Sequence, residues 1–268
     1  MSQAVGPAPA ADGGPRIVFF DVGDTLVRVE PSWAAVYVRT CREFGLDVQE
    51  SDLEAAVAAE SATGFWEASE PFEATMEASF ERVKGYDVRV MAHLGLTDLP
   101  DRFYQRVGEH FLAAETWSVF PEVRGVLDLL RAAGVRCSVV SNWVWGLPEL
   151  LHDLELAHHF EHVVVSSRVG YDKPHPAFFR NALELVGAAA TDVLHVGDNL
   201  ATDVAGARAA GIRAVLVSRP PDIHGHARGD VPPDVSVIAD LTGLPPLLGL
   251  APAAPGERPM TVRSGGRS

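Results

Sequence analysis

Two aspartates in this chain stand at the ends of apolar runs. Ile17-Val18-Phe19-Phe20 leads into Asp21-Val22-Gly23-Asp24, and Val193-Leu194-His195-Val196 leads into Gly197-Asp198. An apolar run that stops at an acid beside a glycine reads as a buried strand delivering a carboxylate from its end. Two such carboxylates brought side by side repel each other unless a cation sits between them. Between these runs lie Val139-Val140-Ser141-Asn142, which ends in a hydroxyl, and the pair Lys173-Pro174. A further acid, Asp203, follows Asp198. Each residue type does a different part of phosphoryl transfer. A carboxylate attacks phosphorus, a hydroxyl donates to phosphate oxygens, a lysine supplies a fixed charge, and paired acids hold a divalent cation.

The elements that must position these residues alternate. The first strand is expected over 16–21. Residues 30–116 carry helical patterns and almost no strand signal, with helices near 50–62, 72–84 and 99–114. Pro31 fits a first helical position, and Gly45 fits a stop after Phe44. From Pro121 a helix runs to Ala133, and strands are expected over 135–141, 161–166, 193–197, 213–217 and 236–239. Helices are expected between them over 148–156, 175–186 and 200–210. Strands separated by helices pair in parallel through right-handed crossovers. The expected fold is therefore α/β, a doubly wound parallel sheet of Rossmann-like form with an inserted α-helical block. Its site belongs at the carboxyl ends of the strands, where the acids and the hydroxyl fall.

These motifs, in this order, resemble those of the haloacid dehalogenase superfamily, whose members are mostly magnesium-dependent phosphatases. The similarity spans roughly residues 16–240. The resemblance implies that Asp21 is the nucleophile and that Lys173 steadies both it and the phosphate. It places Ser141, the amide of Asn142 and Thr25 in phosphate binding. It assigns Mg2+ to Asp21, the Gly23 carbonyl, Asp198 and Asp203. It implies a core over 16–29 and 117–245, a helical cap domain over 30–116, and tails over 1–15 and 246–268.

One position departs from that pattern. The family's phosphatases usually carry a second aspartate two residues beyond the nucleophile, to protonate the leaving oxygen and later activate water. Here that position is Gly23, and the acid is one step on, at Asp24. Neighbouring side chains in an extended segment point to opposite sides. Three readings stay open: Asp24 acts as catalytic acid from an unusual angle, the substrate has an activated leaving group, or the site turns over weakly and serves to bind a phosphorylated ligand. Asp24 as a turn cap is the plain alternative. The 2-haloacid dehalogenase and phosphonatase-like branches also lack the second acid. The first does not carry the Gly-Asp metal motif seen at Gly197-Asp198, and the second would want a Schiff-base lysine in the cap, where Lys84 is a lone candidate.

Composition sets the remaining bounds. The chain has 268 residues, 47% of them hydrophobic, and a formal charge of −14, which disfavours nucleic acid as a partner; the partner that the family resemblance implies is a small phosphorylated molecule. Cys41 and Cys137 are the only cysteines, a usage that suits a reducing cytoplasm. No basic-apolar leader and no long apolar run are present, so no membrane role is expected. Trp33, Tyr37, Phe65 and Trp66 fit cap packing, and Trp143 and Trp145 fit the cleft mouth, where they could seal against the cap. His158, His159 and His162 are expected to be exposed, His224 and His226 to lie in a polar loop, and His195 to be core.

Overall fold

Alternate residues of the apolar runs face two different cores, and that is why the runs form strands. A computed structural model describes residues 15–65, 70–219 and 229–251. Its strands are β1 (Ile17–Phe20), β2 (Val27–Val29), β3 (Trp117–Val119), β4 (Arg136–Ser141), β5 (His162–Val165), β6 (Val193–Gly197), β7 (Arg213–Val217) and β8 (Ser236–Ile238). A parallel six-stranded sheet has the order β5-β4-β1-β6-β7-β8. The chain runs outward from β1 in both directions, so the carboxyl ends of β1, β4 and β6 meet at the switch point.

Helices cover both faces. After the helical insertion come α5 (Val123–Ala132), α6 (Leu147–Asp153), α7 (Ser166–Val169), α8 (Pro176–Val186), α9 (Ala205–Ala209) and α10 (Leu244–Leu247), and the insertion itself holds α1 (Trp33–Glu43), α2 (Glu50–Ser61), α3 (Met76–Ala92) and α4 (Asp101–Leu112). Val18 and Phe20 of β1 pack with Leu127 and Leu130 of α5 and Leu150 of α6. Ile17 and Phe19 pack with Phe178 and Phe179 of α8 on the other face. Helices α1 to α4 bury a third core of their own around Tyr37, Leu53, Met91 and Phe103. The apolar surface in each case is removed from water at roughly 25 cal/mol per Å2, which is what holds the layers together.

Several local expectations shift. Val27–Val29 and Trp117–Val119 pair antiparallel at the two ends of the helical insertion. Each is three residues long, too short to register as an alternating pattern. α3 starts at Met76 rather than 72, because the Thr75 hydroxyl accepts the N–H of Ala78 at 3.1 Å, and it runs on to Ala92 through Gly85. Pro31 precedes the helix instead of opening it, since Ser32 caps α1 by accepting from Ala35 at 3.0 Å. Leu200–Val204 is a π-turn leading into α9 rather than the start of a uniform α-helix. Residues 244–247 form α10, and Leu248 and Leu250 pack on the sheet core, within the stretch expected as a tail from 246.

Trp33, Tyr37 and Phe65 pack among the helices of the insertion, as helical spacing suggested. Trp66, His224, His226, residues 1–14 and residues 252–268 lie outside the described residues. His159 is buried rather than exposed, and its ring lies tilted against that of His158 with centroids 3.9 Å apart. Among the described residues no helix is long and apolar enough to cross a membrane.

Candidate active site

Asp21 immediately follows β1, and its backbone N–H extends the ladder by donating to the Val196 carbonyl at 2.9 Å. Ser141 is the last residue of β4, the neighbouring strand. Its Oγ donates to Asp21 Oδ1 at 2.8 Å. Lys173 Nζ donates to the same oxygen at 2.5 Å and to Asp203 Oδ1 at 2.6 Å. These distances join residues from four separate parts of the chain into one buried network.

Asp203 is placed by the π-turn. The Val204 N–H reaches the Asn199 carbonyl at 3.1 Å, and the Asn199 side chain accepts from Ala201 and Thr202. The Asp203 carboxylate then accepts Lys173 and His195 on Oδ1 and the Asn199 N–H on Oδ2 at 3.0 Å. It lies flat against β6, where a β-carbon on Gly197 would overlap its carboxyl carbon. We expect Gly197→Ala to destabilise the fold by about 1–3 kcal/mol, since the carboxylate is too well held to move aside. Denaturant unfolding checks this, and an unchanged midpoint would contradict the packing.

Carboxylate oxygens of Asp21, Asp198 and Asp203 lie within 4.8 Å of one another. With Lys173 the buried group carries three acids against one base. Burial pushes the Asp21 carboxyl up, and the nearby Asp203 adds to this against the pull of Lys173. Burial also acts upward on Asp203, but Lys173 and His195 outweigh it and hold this acid below the ordinary carboxylate range. Lys173 is drawn down by burial and held up more strongly by Asp203 and Asp21, so it stays protonated. An excess of buried negative charge fits a divalent cation, whose presence would reverse the upward push on Asp21. Asp21, Asp198 and Asp203 form the group that could hold it. Both oxygens of Asp203 also accept hydrogen bonds.

Other expected site residues fall differently. The Asn142 side chain is paired reciprocally with the Lys173 backbone, at 2.9 and 2.6 Å, and fixes the lysine rather than facing a substrate. Thr25 is fully buried and its hydroxyl lacks a hydrogen-bond partner, so the side chain presents no surface to a ligand. The Gly23 carbonyl accepts the Thr25 N–H at 2.6 Å. Asp24 sits in the left-handed region, with φ 51°, and its N–H closes a turn onto the Val27 carbonyl at 2.7 Å. Lys84 is ion-paired with Asp101 at 2.7 Å, and that contact holds its amine above its ordinary value, which suits a surface charge and not a Schiff base.

Three residues escaped the sequence reading as site residues. His195 is core, as expected, but its Nε2 also donates to Asp203 Oδ1 at 2.8 Å. A histidine within a fully apolar strand needs a polar partner, and that was the available signal. Arg219, just beyond β7, donates to the carbonyls of Asp24 at 3.2 Å and Thr25 at 2.9 Å and pins the turn after the nucleophile. Arg82 of α3 reaches from the helical insertion to Asp172, next to Lys173. No local pattern announces either arginine.

The haloacid dehalogenase-like hydrolase family matches residues 15–211. Haloacid dehalogenase-like hydrolase domain-containing protein 3 of Danio rerio is 30% identical over 241 residues, covering 86% of this chain and 95% of that protein. A phosphoserine phosphatase of Thermus thermophilus is 37% identical over 124 residues, covering 45% of this chain and 49% of that enzyme. The structure of the HAD-hydrolase YfnB from Bacillus subtilis, bound to magnesium, superposes with a TM-score of 0.71 at 20% identity, covering 88% of this chain and 100% of the other. With its motifs, its sheet order and nearly its whole described length accounted for in this way, the chain belongs to the haloacid dehalogenase-like hydrolases.

Proposed function

We propose that this hydrolase is a magnesium-dependent phosphatase acting on a small phosphorylated metabolite through an aspartyl-phosphate on Asp21. One observation carries the reading: Ser141 and Lys173 both grip Asp21 Oδ1, beside the further acids Asp198 and Asp203. The grip on one oxygen fixes the carboxylate plane and leaves Oδ2 as the attacking atom. Ser141 can turn its hydroxyl from Asp21 to a phosphate oxygen without moving its backbone. Lys173 keeps a positive charge at the nucleophile throughout. Magnesium, held by Asp21 and Asp198 with Asp203 behind, would offset the charge of the phosphate.

The phosphoserine phosphatase relative supports a phosphate ester over other leaving groups. A dehalogenase would have to bring a carboxylate substrate next to Asp198 and Asp203, which oppose it. The helical insertion would serve as a lid, because Arg82 meets Asp172 and the Phe72 N–H meets the Gly170 carbonyl at 2.9 Å. We expect purified protein to release phosphate from members of a broad panel of phosphomonoesters and acyl phosphates with magnesium present. Activity should stop with EDTA and return when magnesium is restored. No phosphate release across that panel would remove the proposal.

A further inference from the structure

Gly23 and Trp143 meet beside the nucleophile. Gly23 stands two residues beyond Asp21, between β1 and β2. A β-carbon on Gly23 would lie 3.4 Å from Cζ3 of Trp143. Trp143 in turn stands two residues beyond Ser141, whose hydroxyl touches Asp21. The indole is held in place. Its ring packs on Trp117 with centroids 4.8 Å apart. Its backbone N–H donates to Ser166 Oγ at 3.2 Å, and that hydroxyl donates back to the Trp143 carbonyl at 3.4 Å. Cζ3 belongs to the carbon-only edge of the ring, away from the indole N–H.

We propose that the wall formed by Gly23 and the Trp143 ring selects phosphorylated substrates whose leaving group departs as a stable anion, phenolates or carboxylates, over simple alkyl phosphates. This rests on the phosphatase reading and narrows its substrate class. Asp21 forms a bond to phosphorus while the bond from phosphorus to the leaving oxygen breaks. The electron pair goes to that oxygen, which leaves unprotonated. Water then attacks phosphorus, the bond to Asp21 breaks, its electron pair returns to the carboxylate, and the proton passes to solvent. Neither step draws a proton from the Gly23 position. Asp24, one position on, has its backbone pinned in the turn by Val27 and Arg219, and the selection assigns it no proton transfer. An alkoxide leaving group lacks the proton it needs, a deficit of roughly 10²- to 10⁴-fold. A flat aromatic ring can also pack against the indole.

The test measures kcat/KM with magnesium for aryl phosphates of graded phenol acidity, for acetyl phosphate, and for glycerol phosphate as the alkyl case. We expect 4-nitrophenyl phosphate, acetyl phosphate or both to exceed glycerol phosphate by at least about 10²-fold. The rates should fall steadily as the phenol becomes less acidic, and the two arms tell phenolate from carboxylate selection. In Gly23→Asp combined with Trp143→Leu, which makes room for the acid, the preference should shrink at least about tenfold. A flat series in the unmodified protein, with glycerol phosphate equal to the aryl esters, would overturn the selection while leaving the phosphatase reading intact. Absence of phosphate release from every compound would overturn both.

Discussion

Asp21→Asn is expected to lower turnover of every phosphate substrate by on the order of 10⁴-fold or more. An amide oxygen can still accept from Ser141 and Lys173, so the network around the position persists. The amide does not attack phosphorus, so the aspartyl-phosphate cannot form. Fold and activity separate cleanly in this variant. Burial raises the Asp21 pKa from its ordinary 3.8. An acid with a raised folded value contributes stability that is full below 3.8 and is lost as pH rises through the folded value. At neutral pH its charge therefore works against folding, and the Asn variant should unfold at no lower a temperature than the parent. Calorimetric unfolding and a phosphate-release assay check the two halves. Full turnover by the variant would remove Asp21 from the role.

Lys173→Met should be the most damaging single change to the network. The lysine is 2% exposed and bridges Asp21 and Asp203. Methionine fills similar space but leaves two like charges facing each other without their shared base. Breaking a buried ion pair from one side typically costs about 3–5 kcal/mol. Turnover should fall by about 10²-fold or more, because the nucleophile loses its orienting charge. The pH window follows from the directions of the shifts. The Lys173 pKa is raised, so its contribution is present below the ordinary lysine value of 10.5. The Asp203 pKa is lowered, so its contribution is present above 3.8 and is lost as pH falls through its folded value. The deficit of the variant should therefore be full between about pH 5 and pH 9 and shrink in acid, where the acids protonate. Magnesium should recover more stability in the variant than in the parent, since the site has become more negative. Urea unfolding at several pH values, with and without magnesium, reads all of this. A variant as stable as the parent at pH 7 would show that the lysine is not holding the acids together.

The two arginines show how position along the chain and position in space come apart. Arg219 and the turn it pins are far apart in sequence, and nothing near Arg219 marks it as a neighbour of Asp24. The guanidinium also lies 3.6 Å from the centre of the Phe120 ring and pairs with Glu122, so two distant segments, 24–25 and 120–122, fix its direction. Arg82 lies on a helix of the insertion, and only the folding of that insertion onto the sheet brings it to Asp172.

What the sequence by itself determined is the set of elements and the order of their chemistry. The runs ending at Asp21, Ser141 and Gly197-Asp198 are apolar because both faces of a parallel strand are buried, and that property is written locally. The helices between them follow from local spacing as well, which made the doubly wound sheet and the helical insertion legible. Tertiary structure alone decided which oxygens meet. It set Asp203 on a π-turn against Gly197, gave His195 its partner, turned the Asn142 side chain toward the Lys173 backbone and buried the Thr25 hydroxyl. It also brought the Trp143 ring against Gly23, two positions that share no segment. Hydrophobic periodicity records how each residue faces its own core, whereas hydrogen bonds and ring contacts of a few ångströms depend on how distant segments are finally packed.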